Sequence, residues 1–305
     1  MKLTVIMNAR SGVLLERDAD AVERDIVDAF SQGDTDVEVI TTSGAELTEA
    51  IERAVQADSD TVVVGGGDGT ILTAAVRLAG TNKALGIIPL GTANMLARDL
   101  DIPLDIDEAV TALSAGHIER IDVADLNGQV FLNNSVLGLY PKIAQVRERR
   151  RGKMRVRDWL RLIASALRAM VRRPQLRVDI DLGQGPRRVT ALGVLVSNNL
   201  YDGGLRAPLA RTRLDAGCLG VYIARHRTPF DILRLLARMA AGRWRSDRDM
   251  ETARVEALTV NSRKSRLRVT VDGEVRLLKP PLEYRIRPGA LAVVVPGSSD
   301  EDRSA

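Results

Sequence analysis

The chain is poor in cysteine, histidine and aromatic residues, and each shortage narrows what it can be. Cys218 is its one cysteine among 305 residues, so intramolecular disulfides and cysteine-rich zinc centres are excluded and a reducing compartment fits. The two histidines, His117 and His226, stand far apart in sequence and form no H-x-x-x-H pattern; both read as structural. Aromatics make up 3% of the residues, too few for the stacking platforms of single-strand nucleic-acid binders. No apolar run approaches the roughly 18 residues of a membrane span. The opening segment Met1–Asn8 turns polar too soon for a signal peptide. A cytoplasmic protein is expected, either soluble or attached peripherally to the inner face of a membrane.

What is present points to a packed protein with an uneven charge. With 45% hydrophobic residues the chain can bury a core, and its length suits two domains. The net charge is only +4, but residues 147–173 hold a dense arginine cluster opposed by Glu148 and Asp158 alone. Such a cluster attracts lipid headgroups or nucleic acid. Within it, Trp159, Leu160, Leu162, Ile163, Ala166, Leu167 and Met170 recur at helical spacing. That spacing describes either a core-packed helix with a solvated basic face or a helix meeting an anionic membrane.

Residues 1–121 alternate strand and helix patterns. Strands are expected at Leu3–Met7, Val37–Ile40, Thr61–Val64 and Leu85–Pro89. Helices are expected at Ala19–Phe30, Ala45–Ala57, Thr70–Ala79, Thr92–Asp99 and Ile106–Ala115. This order predicts a doubly wound parallel sheet, an α/β nucleotide-binding domain, with ligands at the carboxyl ends of its strands. Residues 122–296 read as an antiparallel β-sandwich of short strands separated by turns. They include a basic helix near 155–172, a second helix at Pro229–Ala241, and single strands at Val130–Asn134, Arg188–Ser197 and Arg254–Val260. The turn at Pro288-Gly289 divides Leu282–Ile286 from Leu291–Val295, and that last strand is a candidate to return to the first domain. Residues 297–305 form a polar tail.

Three glycine loops follow the apolar strands. Val62-Val63-Val64 runs into Gly65-Gly66-Gly67-Asp68-Gly69-Thr70 and then a helix pattern, the geometry in which backbone N–H groups hold a phosphate. The loop lacks the lysine of G-x-x-x-x-G-K-S/T, and Thr70 breaks G-x-G-x-x-G. Gly91-Thr92-Ala93-Asn94 opens a helix, with Thr92 placed either to cap it or to bond a phosphate. Asn8-Ala9-Arg10-Ser11-Gly12 is an ordinary turn or a polar patch near a base or ribose. Further on, Asp272-Gly273 is a strong hairpin signal. It also fits a carboxylate that takes a proton from an attacking hydroxyl. Asp215-Ala216-Gly217 carries the same ambiguity.

Together these pieces resemble the diacylglycerol kinase catalytic-domain family of soluble lipid kinases, relatives of the sphingosine kinases. The likeness runs through the Asn8–Gly12 loop, Gly66-Gly67-Asp68-Gly69-Thr70, Gly91–Asn94, Asn134–Gly138, Gly203-Gly204 with Pro208, Leu214–Gly217 and Asp272-Gly273-Glu274. The Gly-Gly-Asp-Gly-Thr run also occurs in NAD kinases; the order of the later motifs carries the lipid-kinase likeness. The resemblance implies an N-terminal α/β domain, a C-terminal β-sandwich and nucleotide in the cleft between them. It also implies transfer of the ATP γ-phosphoryl group, with Mg²⁺, to a lipid hydroxyl, diacylglycerol giving phosphatidic acid. By the same likeness Asn8, Ser11, Gly12, Thr41, Gly65–Thr70, Gly91, Thr92 and Asn94 contact the nucleotide. Glu274 is the general base with Asp272 beside it, and Asp68 joins the catalytic set. The usual metal-linked aspartate falls at Ala216, leaving Asp215 one residue early, and Met95 replaces a carboxylate common in the family. Anionic membrane, through residues 147–173, a lipid substrate and a homodimer are the expected partners; specific nucleic acid is not. A catalytically weak nucleotide- or lipid-binding protein of this fold, and an NAD kinase, are the alternatives.

Overall fold

A computed structural model of the protein describes residues 2–12, 14, 19–31, 36–138, 175–202, 210–226 and 228–297. The basic segment 147–173, its helix, Gly203, Gly204, Pro208 and the tail from residue 298 lie outside them. Two compact units divide the chain. One is Met1–Val123 with Pro288–Ala305, the other Ala124–Arg287.

The first unit alternates β1 (Lys2–Asn8), α1 (Ala19–Phe30), β2 (Asp36–Thr42), α2 (Ala45–Gln56), β3 (Thr61–Gly66), α3 (Asp68–Leu78), β4 (Ala84–Pro89), α4 (Met95–Asp99) and α5 (Ile106–Ser114). The strands pair in parallel in the order β2-β1-β3-β4. Because right-handed crossovers leave β1 in both directions, the helices divide between the two faces; α1 packs with α5, and α2 with α3. β3 and β4 are buried along their whole length. That is why both read as unbroken apolar runs rather than alternating ones.

Among the described residues the second unit is built from strands, one helix and a short 3₁₀ turn. It comprises the latter part of β5 (His117–Leu126), then β6 (Gln129–Phe131), β7 (Asn134–Gly138), β8 (Leu176–Asp181), β9 (Arg187–Ala191), β10 (Gly193–Asn198), β11 (Leu219–Ala224), α6 (Pro229–Ala240), the 3₁₀ turn Trp244–Ser246, β12 (Met250–Val255), β13 (Ala257–Asn261), β14 (Leu267–Val271), β15 (Glu274–Leu278) and the start of β16 (Leu282–Val295). One antiparallel sheet runs β12-β11-β10-β7-β14-β15. Facing it, β9, β8, β13 and the first residues of β16 pair antiparallel, and a β5–β6 ribbon adds Leu126 and Phe131. Both sheets empty their inward side chains into one core, among them Leu137, Ile180, Val196, Val221, Val260, Val269 and Tyr284. This is the β-sandwich.

The structure corrects several sequence expectations. Pro288-Gly289 does not end a strand: β16 continues through it to Val295 and pairs in parallel with β4 at Ala292 and Val293. Gly289 takes a left-handed φ of 56° there, and its N–H donates to Asp122 Oδ1 at 2.9 Å, so the strand bends without losing its partners. Residues from Pro288 accordingly belong with the first unit. Arg188–Ser197 is two strands, because the Leu192 N–H leaves the ladder to reach the Ala224 carbonyl. Arg254–Val260 divides at Glu256, whose carbonyl accepts the Ile286 N–H. Val130–Asn134 divides where three N–H groups turn toward Asp272.

Candidate nucleotide and acceptor sites

In the first unit the three glycine loops follow β1, β3 and β4 at their carboxyl ends, and close packing explains the glycines. A Cβ on Gly66 would lie 2.5 Å from the Thr70 side chain, and one on Gly91 would lie 2.5 Å from the Gly67 Cα. The second and third loops therefore meet backbone to backbone. Gly12 and Gly69 differ, since a Cβ there would meet nothing within 4 Å. Both glycines present bare backbone to open space, and Gly69 lies in the first turn of α3, where N–H groups have no acceptor within the helix.

Side chains then lock the loops. Asn8 Nδ2 donates to Thr70 Oγ1 at 2.9 Å, and the Asn8 carbonyl accepts the Ser11 N–H at 2.9 Å. Ser11 is buried, yet its Oγ has no partner. Asn94 folds onto Gly91, accepting its N–H at 2.9 Å and donating to its carbonyl at 2.8 Å. Asp68 accepts the N–H of Asn94 at 3.1 Å and of Met95 at 2.6 Å. Helix α4 therefore begins at Met95, not Thr92, and is capped by Asp68 from another loop; Thr92 is exposed. Thr41 lies beside Met7 in the β1–β2 register and donates to Glu23 Oε1 at 2.5 Å. Glu23 carries no motif that marks it beforehand.

In the second unit the three carboxylates singled out from the sequence divide: Asp272 turns inward, while Glu274 and Asp215 stay exposed, each beside an arginine. β14 and β15 form the expected hairpin, with Asp272 and Gly273 at φ 44° and 88°. Positive φ at both central residues is the two-residue hairpin geometry that Asp-Gly favours. The Asp272 side chain points inward and accepts the N–H groups of Leu132, Asn133 and Asn134 at 2.7, 2.9 and 3.0 Å. Burial pushes its carboxyl above the usual range, against the pull of those donors and of Arg211. Arg211 is itself buried and bonds the Leu132 and Asn198 carbonyls and Asn133 Oδ1. Asp272 thus anchors the turn rather than facing solvent. Glu274 does face solvent, at 61% side-chain exposure, 2.9 Å from Arg276 Nη2. Asp215 is exposed and paired with Arg213 at 3.1 Å. The hydrogen bond from Arg213 holds its carboxyl below the ordinary range.

The parts differ in how they suit a nucleotide and a metal. An orphaned Ser11 hydroxyl, two open glycines and a helix start are groups that phosphate and ribose oxygens satisfy. The carboxylates expected around Mg²⁺ are all engaged: Asp68 by N–H groups, Asp272 by three more, and Asp215 by Arg213. Among the described residues the one group spaced for a metal is His226, Asp247 and Asp249, and Arg234 already binds both of its aspartates. A cavity of about 470 Å³ lies elsewhere, lined by Leu3, Thr61, Gly86, Gly116 and Ile118 toward the amino ends of β1 and β3. It is not formed by the glycine loops.

Known proteins share this arrangement. Residues 2–126 match the diacylglycerol kinase catalytic domain, and residues 143–295 match the YegS C-terminal NAD kinase beta sandwich-like domain. A protein of Pseudomonas aeruginosa named "Probable lipid kinase YegS-like" is 32% identical over 262 residues, 85% of this chain and 84% of its own. The chain belongs to this lipid kinase family. A diacylglycerol kinase of Staphylococcus carnosus is 32% identical over 106 residues, 34% of this chain and 35% of its own. A solved diacylglycerol kinase from Bacillus anthracis superposes with a TM-score of 0.69 at 20% identity, covering 97% of each chain; at that identity the likeness is one of fold. The family match covers both units, with the glycine loops inside the first matched domain and Glu274 inside the second. Among the described residues no helix is long and apolar enough to cross a membrane.

Proposed function

We propose that this protein is an ATP-dependent lipid kinase that phosphorylates a lipid hydroxyl, with diacylglycerol as first substrate and phosphatidic acid as product. Glycine backbone at 65–69 and 91, with Asn8, Ser11 and Thr70, holds the nucleotide phosphates and ribose. Mg²⁺, when bound, would neutralise phosphate charge. Glu274 accepts the proton of the acceptor hydroxyl as its oxygen bonds to the γ-phosphorus, the bond to the β–γ bridging oxygen breaks, and ADP leaves. The observation that carries the reading is the exposed Glu274 fixed on the β14–β15 hairpin by the inward-turned Asp272. The basic segment 147–173 serves as one contact to anionic lipid.

Labelled ATP offered with a panel of diacylglycerols, monoacylglycerol, ceramide and sphingosine tests this proposal. Transfer to diacylglycerol above the others supports it. Transfer to another lipid moves the substrate assignment. ATP binding by calorimetry without transfer to any lipid, with Mg²⁺ or Mn²⁺, replaces it with a nucleotide-binding protein of the same fold. The engaged state of Asp68, Asp215 and Asp272 favours that second reading.

A further inference from the structure

Helix α6 is built to be rigid yet presents apolar side chains to solvent. Thr228 and Asp231 form a capping box around Pro229, which fixes the start of the helix. Leu235 and Met239 pack against the Tyr201, Tyr222 and Trp244 cluster. Arg234 pairs with Asp231 and Asp249 and with Asp247 at 3.0 Å, and Arg238 reaches the Ser246 carbonyl at 2.8 Å. On the outward side Phe230 is 73% and Leu233 62% exposed, and Ala237 is exposed with them. Spacings of three and four residues place the three on one stripe. Exposed Arg243 and Arg245 follow the helix, while the three acids of the stretch, Asp231, Asp247 and Asp249, face Arg234, and Arg248 also pairs with Asp231 and Asp249.

We infer that α6 docks on an anionic lipid bilayer, with Phe230 and Leu233 inserted among the acyl chains and Arg243 and Arg245 at the headgroups. An apolar stripe with arginines following it, on a helix held to its domain, is the pattern of an interfacial helix. A second copy is a poorer occupant. A two-fold contact would bring like-charged arginines together. The surface differs from the 147–173 segment. What docking is for rests on the lipid-kinase reading; docking itself does not.

The test is sedimentation of the full chain, without nucleotide, with vesicles of phosphatidylcholine alone and of phosphatidylcholine with phosphatidylglycerol. Wild type is expected to bind the anionic vesicles preferentially. Phe230→Ser with Leu233→Ser should weaken binding by about tenfold or more with an unchanged thermal midpoint. Arg243→Glu with Arg245→Glu should weaken binding to the phosphatidylglycerol vesicles relative to wild type, the 147–173 segment retaining part of the preference. Equal vesicle binding by the serine variant overturns the inference, as does wild-type indifference to vesicles. A change from dimer to monomer in the serine variant, by ultracentrifugation, assigns the stripe to a second copy instead. Kinase activity on detergent-dispersed diacylglycerol should be the same in the serine variant and wild type. Loss of vesicle binding alone and absence of kinase activity alone are therefore separate results.

Discussion

The Asp68 carboxylate accepts the Met95 N–H at 2.6 Å, across 27 residues of sequence. One side chain thus ties the loop after β3 to the start of α4, and its negative charge sits at a helix amino end where it is stabilising. Asp68→Ala is expected to cost about 1–2 kcal/mol of stability, read from urea unfolding, with Asp68→Asn costing less. A variant with lost activity and wild-type stability would return Asp68 to the catalytic role.

Gly91→Ala and Gly69→Ala separate packing from ligand contact. The first drives a methyl to 2.5 Å from Gly67 backbone, and overpacking of this kind costs about 1–3 kcal/mol. The second meets nothing and sits in a helix, where alanine gains up to about 1 kcal/mol over glycine. Thermal melts should therefore move in opposite directions. ATP affinity by calorimetry should fall in both, in Gly69→Ala because the methyl enters the space a phosphate takes. Undiminished affinity in Gly69→Ala places the phosphates elsewhere.

Glu274→Gln keeps the shape of an exposed side chain and removes its basicity. Under the proposed mechanism kcat drops by about 10²–10⁴ with the unfolding midpoint unchanged. Asp272→Asn acts differently: an amide cannot accept as the carboxylate does from three N–H groups, and leaving one unmet costs about 1–3 kcal/mol. Its main effect should be on denaturant midpoint. The reverse pattern, activity lost in Asp272→Asn alone with full stability, would exchange their roles.

Stability should fall in acid through Asp247. The hydrogen bond from Arg234 is the main cause holding its carboxyl down to about 2, against an ordinary value of about 4. A depressed acid contributes stability that is complete above the unfolded value and is lost as pH drops from about 4 toward 2. Asp272 has the opposite sign: its raised value means its contribution declines as pH rises through its titration. Melting temperature measured against pH should show a shallower acid limb in Asp247→Asn than in wild type. Superimposable limbs would refute the assignment.

Local pattern made much of this molecule legible in its sequence. Ala19–Phe30 is a helix with both ends where the periodicity put them, and Asp-Gly at 272–273 made the hairpin it signals, because both depend on neighbouring residues alone. The glycine loops could be placed after their strands for the same reason. The amino acid order could not reveal what each acidic side chain touches. Asp68 reads as a loop carboxylate, but its partners are Asn94 and Met95; Asp272 reads as a turn tip, but it is held by N–H groups at 132–134. Arg211 carries no motif that marks it, yet it is buried and bonds the Leu132 carbonyl and Asn133 Oδ1. The sequence by itself settled the order of strands, helices and glycine loops, though not every boundary, since that order follows from backbone freedom and hydrophobic period. Tertiary structure alone decided which donors each carboxylate meets and which of them face solvent. A charge takes its role from donors brought to it by folding, and here those donors come from up to 140 residues away.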